Sequence, residues 1–266
     1  MDQAKSKLLT SEDWWSVWVG LFIFGLTAFN LFGLDVLGWA VKNTEWLDPG
    51  KAISAVSSDW SGIYAPVTVV ITWLFMLGVM SVGARFLGAN ARDFAVSFSV
   101  IFWISFACWT LGHYGYIAAT PEVAQKLGLG WSLKLTGEAG LILALLAGLA
   151  VGNFFPGLAQ KLVAATRPEW YIKTAIVIMG AGLGVKAAAS TGLAGAIIFR
   201  GFCAIIEAYL IYWALVYFIA RRFFGFSREW AAPLASGVSI CGVSAAIATG
   251  AAIRARPVVP VMVSSL

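Results

Sequence analysis

Apolar runs of about 20 residues recur along the whole chain, and each is long enough to cross the roughly 30 Å hydrocarbon core of a bilayer as a helix. In hydrocarbon every backbone N–H and C=O must find its partner inside the protein, so such runs pack as spanning helices. The composition leaves little else to build with. Of 266 residues, 60% are hydrophobic and 12% are charged, about half the charged share of an ordinary soluble domain. No soluble domain of any size fits between the runs. The chain reads as an all-α polytopic membrane protein.

About seven to eight transmembrane helices can be placed, near 14–40, 66–87, 94–118, 137–155, 171–187, 193–223 and 230–253, with the start of an eighth at "VVPVMVSSL". Residues 1–136 form an N-terminal three-helix membrane region and 137–266 a second membrane unit. The last nine residues are too short to span, so the chain reads as a fragment of a longer protein. The N-terminus is no cleaved signal, because its apolar segment is longer than a signal-peptide core. "SEDWW" reads as a helix start, with Ser11 as cap and the acidic pair Glu12 and Asp13 at the positive end. Between the fourth and fifth spans, "PGLAQKLVAATRPEW" reads either as a short surface helix, with Leu158, Leu162 and Val163 on one side, or as a plain loop.

Lysine and arginine set the orientation. With the N-terminus in the cytoplasm, ten basic residues fall inside (Lys5, Lys7, Arg85, Arg92, Lys161, Arg167, Lys173, Arg221, Arg222, Arg228) and five outside (Lys42, Lys51, Lys126, Lys134, Lys186), as the positive-inside rule favours. Arg254 and Arg256 join the outside if the seventh segment crosses, and the inside if it folds back as a re-entrant hairpin. Charge counting prefers the hairpin. The net charge of +5 is scattered over loops and does not suggest nucleic-acid binding. Cys108, Cys203 and Cys241 lack disulfide or metal spacing. With one histidine, His113, the chain implies no metal site, no cofactor and no enzyme.

The stretch "SGVSICGVSAAIATG", residues 236–250, packs small polar residues where a membrane helix would hold leucine. Three explanations stay open. Small residues four apart, such as Gly237 and Cys241, let helices approach closely. Gly237 and Gly242 can break the helix while Ser236, Ser239 and Ser244 satisfy freed backbone groups. A broken helix in turn offers unpaired N–H groups and a positive dipole end to an anion, as discontinuous helices of secondary transporters do.

This stretch also resembles the Ser-Ile-Cys-Gly motif of the YeiH-type sulfate-exporter family. "LILALLAGLAVGNFFP", with Gly152 and Asn153, and "IVIMGAGLGVKAAASTG", with Gly180, Leu183 and Gly192, agree in order and spacing. The resemblance covers roughly residues 137–266. It implies a fold like the sodium/bile-acid symporters, with two inverted five-helix repeats whose fourth helices are broken at the substrate site. On that basis 137–266 is the first repeat, and the motif lies in a broken spanning helix despite the charge count. One departure stands out: Gly182 occupies the place where the family leads one to expect an arginine, with Lys186 one turn on as a substitute.

Glu207 lies mid-span in "FCAIIEAYLIYW", where an ionisable group marks an ion path by default; pairing with Arg200 is the structural alternative. Glu138 suits a helix start, and Asp35 and His113 suit local hydrogen bonds. Cys241 has no acid–base partner nearby and is no nucleophile. The expectation is a bacterial cytoplasmic-membrane transporter, exporting a small anion such as sulfate or an organic sulfonate by alternating access. Ser236, Gly237, Ser239, Cys241, Gly242 and Ser244 would bind the anion, and Glu207 would couple it to protons, with sodium as the other coupling ion. An oligomer could form through the first three spans. From another class comes a non-transporting membrane subunit, sensor or scaffold, in which the small residues only pack helices.

Overall fold

The computed structural model describes residues 8–189, 191–242, 244–256 and 258–264, and it is mostly helical. It forms two compact units, 1–181 and 182–266. The division falls within one helix and not at 136/137, because the fourth apolar segment packs tightly on the third.

Helix α1 (Glu12–Ala28) follows Ser11, whose backbone is extended as in a cap although its side chain makes no capping bond. The first span does not reach residue 40. A 3-10 turn, Phe29–Phe32, ends at Gly33 with φ +77°, while Gly33 N–H donates to Asn30 and Leu34 N–H to Phe29. This left-handed glycine closure satisfies the last carbonyls and stops the helix. Beyond it the mostly helical chain holds one short ribbon, in which β1 (Val41–Asn43) and β2 (Ile53–Ala55) pair antiparallel. This ribbon sits on the end of a helix, where Asn43 Nδ2 and Trp46 Nε1 both bond Thr110 at 2.8 Å.

Helices α2 (Ala65–Phe86) and α3 (Ala91–Gly112) are joined by a tight turn. Two short helices, α4 (Gly115–Ala118) and α5 (Pro121–Lys126), lead to α6 (Glu138–Phe154). At the crossing of α3 and α6 a Cβ on Gly112 would lie 2.2 Å from Gly140 N, so the backbones approach as only glycine permits. Pro156 then opens α7 (Pro156–Leu162), bent by 116° from α6. The segment is therefore helical and not a plain loop, with Leu162 buried and Val163 exposed. Next comes α8 (Pro168–Ala189). The core of the first unit joins Val19, Met80, Ala84, Phe94, Phe98 and Trp170, the last of them fully buried. At its edge Arg167 pairs with Glu12, and Lys173 with Asp13 and Glu169.

The second unit holds α9 (Thr191–Ile206), a π-helical stretch Glu207–Trp213, α10 (Ala214–Arg222), α11 (Arg228–Ser239), α12 (Ser244–Ala252) and α13 (Val258–Ser264). Among the described residues, three helices are long and apolar enough to cross a membrane: α2, α3 and the continuous run Ile198–Arg222. The bent pair α6–α7 makes a fourth if it counts as one span. That is fewer than the seven to eight read from sequence. The physical reasons are local: α1 stops at Gly33, α7 turns away from α6, and the seventh segment folds back on itself.

Candidate functional site

Residues 228–256 form a helical hairpin, not the single broken span expected from the family resemblance. α11 ends at Ile240, whose φ of −125° and ψ of −73° leave the helix, and α12 resumes at Ser244. Thr249 Oγ1 donates to Ser236 Oγ across 2.7 Å. On a continuous helix those residues would lie about 20 Å apart, so the two arms run side by side. Arg256 closes the mouth, with Nε 3.1 Å from Glu229 Oε1 and its backbone N–H bonded to the same oxygen. Both bonds hold the Glu229 carboxyl below its usual range, the backbone one more strongly. Small residues make the close pairing of the arms feasible. A Cβ on Gly237 would meet Gly242 O at 3.1 Å, and Ala246 is fully buried beside Val259 and Val263 of α13.

The expected site residues separate into different roles. Ser236 is buried, and its Oγ accepts both from Thr249 and from Trp213 Nε1 at 2.9 Å. It ties α11 to α12 and to the end of the π stretch, which leaves its lone pairs occupied. Gly237 lies in the seam between the arms. Ser239, the last residue of α11, has a buried Oγ with no hydrogen-bond partner among the described residues. A buried hydroxyl without a partner is costly and calls for an explanation. Cys241 and Gly242 are exposed at the tip, and a Cβ on Gly242 would meet nothing within 4 Å. Of the two glycines, Gly237 alone stands at the close approach of the arms. The side chains of Ser244 and Lys186 lie outside the described residues, and Gly182 is exposed with open space around it.

Glu207 opens the π stretch. It does not pair with Arg200; its Oε1 accepts from Tyr212 Oη at 2.7 Å. Since α10 and α11 run antiparallel through the turn between them, stepping back from Trp213 to Glu207 and forward from Ser236 to Gly242 both lead away from the hairpin mouth. Glu207 is therefore displaced toward the depth of the tip. The remaining candidates have local roles. His113 is bonded through Nδ1 to Trp109 O at 2.8 Å, and Asp35 lies in the loop beyond α1, where its carbonyl accepts from Trp60. Among the described residues no cluster of His, Cys, Asp or Glu could hold a metal, and the three cysteines are unpaired.

Sequence reasoning overlooked Trp213, Tyr212 and Thr249. A tryptophan in mid-span, away from any interface belt, was the available signal for the first. Glu207 and Tyr212 are five residues apart, which is not a same-face spacing on an α-helix, so nothing in the pattern pointed to their bond.

The family described as conserved hypothetical protein 698 matches residues 123–263. A UPF0324 membrane protein of Nitrosomonas europaea is 37% identical over 100% of this chain and 55% of its own length. One from Rhodopirellula baltica is 31% identical over 78% of the chain and 34% of its own length. Another, from Ralstonia nicotianae, is 30% identical over 54% of the chain and 38% of its own length. The chain thus spans about half the length of the first of these relatives and about a third of the other two. No solved structure matches the chain.

Proposed function

Because the chain belongs to the family described as conserved hypothetical protein 698, whose relatives are named as membrane proteins, we propose that it is the binding half of a secondary transporter for a small anion. Sulfate and organic sulfonates are the cargo class, and the proposed setting is the bacterial cytoplasmic membrane with the N-terminus inside. The observation that carries this reading is the interrupted hairpin tip beside the unpartnered hydroxyl of Ser239. An arm of 12 residues is about 18 Å long, a little over half the hydrocarbon core. A hairpin entering from one surface therefore brings its tip near the bilayer midplane. Irregular backbone is tolerated there only in protein or beside water. The start of α12 offers unpaired N–H groups and a positive dipole end, and Ser239 offers an O–H donor. Together they suit an anion without any fixed positive side chain.

Glu207, mid-span and displaced toward the tip, is the proton-coupling residue in this reading, with sodium as the alternative coupling ion. The inverted-repeat fold belongs to the same proposal, with the second repeat in the part of the relatives this chain does not span. The transporter needs no cofactor and no enzyme chemistry; its partners are the anion, the coupling ion and the lipid bilayer.

Sulfate and sulfonate flux into proteoliposomes is the test. Ser239→Ala should raise the half-saturating anion concentration roughly tenfold or more, the worth of one hydrogen bond to a charged group, with insertion unchanged. Flux and affinity equal to wild type in that variant would remove Ser239 as a ligand. A complete lack of anion flux in the wild type would leave a scaffold whose small residues only pack helices.

A further inference from the structure

We propose that the π-helical stretch Glu207–Trp213 is a register switch that carries the protonation of Glu207 to the hairpin through Trp213, a role that rests on the transporter reading above. The bond from Tyr212 Oη to Glu207 Oε1, 2.7 Å long, joins residues five apart. On an α-helix such residues stand about 140° apart around the axis and cannot meet. A π-helix closes its bonds at that spacing, so the two side chains become neighbours. The contact is therefore a property of the π register.

Trp213 ends the stretch, and its indole N–H donates to Ser236 Oγ at 2.9 Å. Ser236 in turn accepts from Thr249 on the returning arm. Closing a π bulge into α geometry removes one residue from the turn and rotates one side relative to the other by about 100°. Trp213 then swings off Ser236, and the hairpin loses its tie to the membrane helix. Ionised Glu207 accepts the Tyr212 hydroxyl in a charge-assisted bond, which favours the π register. A proton taken from water onto the Glu207 carboxylate weakens that bond and releases the stretch, with no other covalent bond made or broken.

The surroundings leave Glu207 free to act alone. On its own helix the nearby titratable groups are Arg200, Cys203, Tyr209 and Tyr212. On the hairpin they are Arg228 and Glu229 at the mouth, Cys241 at the tip, and Arg254 and Arg256 after α12. Glu229 is engaged by Arg256 at the end away from the tip, and α13 contributes no charged side chain.

Hydrogen–deuterium exchange of the full chain in lipid nanodiscs tests this, in mildly acidic and mildly alkaline buffer and with intrinsic rates corrected. In the wild type, acidification should speed exchange in 207–213 and 236–250 together, by roughly tenfold or more, as expected for loss of a hydrogen bond to a charged group. Glu207→Gln should make both segments insensitive to pH. Trp213→Phe should leave the response of 207–213 in place and abolish that of 236–250; Ser236→Ala should do the same from the other side of the bond. A hairpin that still responds in both uncoupling variants overturns the proposal, as does a wild-type chain in which neither segment responds. Anion flux separates the two ideas. Flux with no pH response in exchange removes the switch and keeps the transporter, whereas the full exchange pattern without flux keeps the switch and removes the anion.

Discussion

Ser236 Oγ accepts from Trp213 and Thr249, whereas Ser239 Oγ, three residues on, is buried without a partner among the described residues. Substitution should separate them. Ser236→Ala strands an indole N–H and a threonine hydroxyl together, so it should lower the stability of the purified protein by about 1–3 kcal/mol. A thermal unfolding scan in detergent measures this; an unchanged midpoint would show that water replaces the serine. The two glycines of the motif differ in the same way. Gly237→Val places carbon against Gly242 O and Val263, and overpacking of this kind costs about 1–3 kcal/mol or more. Gly242→Ala meets open space, so its melting temperature should match wild type and its effect should fall on anion affinity alone. Size-exclusion yield and melting temperature of the pair decide which glycine holds the arms together.

For whole elements, the hairpin mouth has a pH dependence of known sign. Arg256 holds Glu229 below its ordinary value of 4.5. A depressed carboxyl contributes stability above its unfolded value and loses it as pH falls through the folded one. Exchange protection near residues 228–231 and 253–256 should therefore fall on acidification below about 4.5. Glu229→Gln should show the low protection at every pH. Arg256 is 68% exposed, so the effect is local opening and not global unfolding. The helix count shows what sequence could convey about elements. Long apolar runs placed α2 and α6 within a residue or two of their bounds, because hydrophobicity alone determines them, while the third run overshot the end of α3 by six residues and took in α4. The end of α1 was missed because apolar residues continue past Gly33, whose left-handed backbone closes the helix. The hairpin was missed because helix order in a resembling family was weighed above Arg254 and Arg256, whose charges pointed to the fold-back. The Ser/Gly stretch was legible as an interruption, but which serine is structural depends on Trp213, which lies outside it, and on Thr249, which only the fold-back brings beside Ser236.

Across the molecule, the fold-back changes the charge tally: Arg254 and Arg256 return to the side of Arg228. If that side is cytoplasmic, a single cysteine at position 227 in a cysteine-free background should resist an impermeant thiol reagent added to intact cells. Strong labelling would invert the orientation. At the other end of the chain, Glu12 pairs with Arg167, a partner 155 positions later, and Asp13 pairs with Lys173. No such clasp can close until the later residue has left the ribosome. Until three further apolar segments have been made, the two carboxylates at the start of α1 have neither of these partners. Those two ion pairs therefore join the earliest-made part of the first unit to its latest-made part.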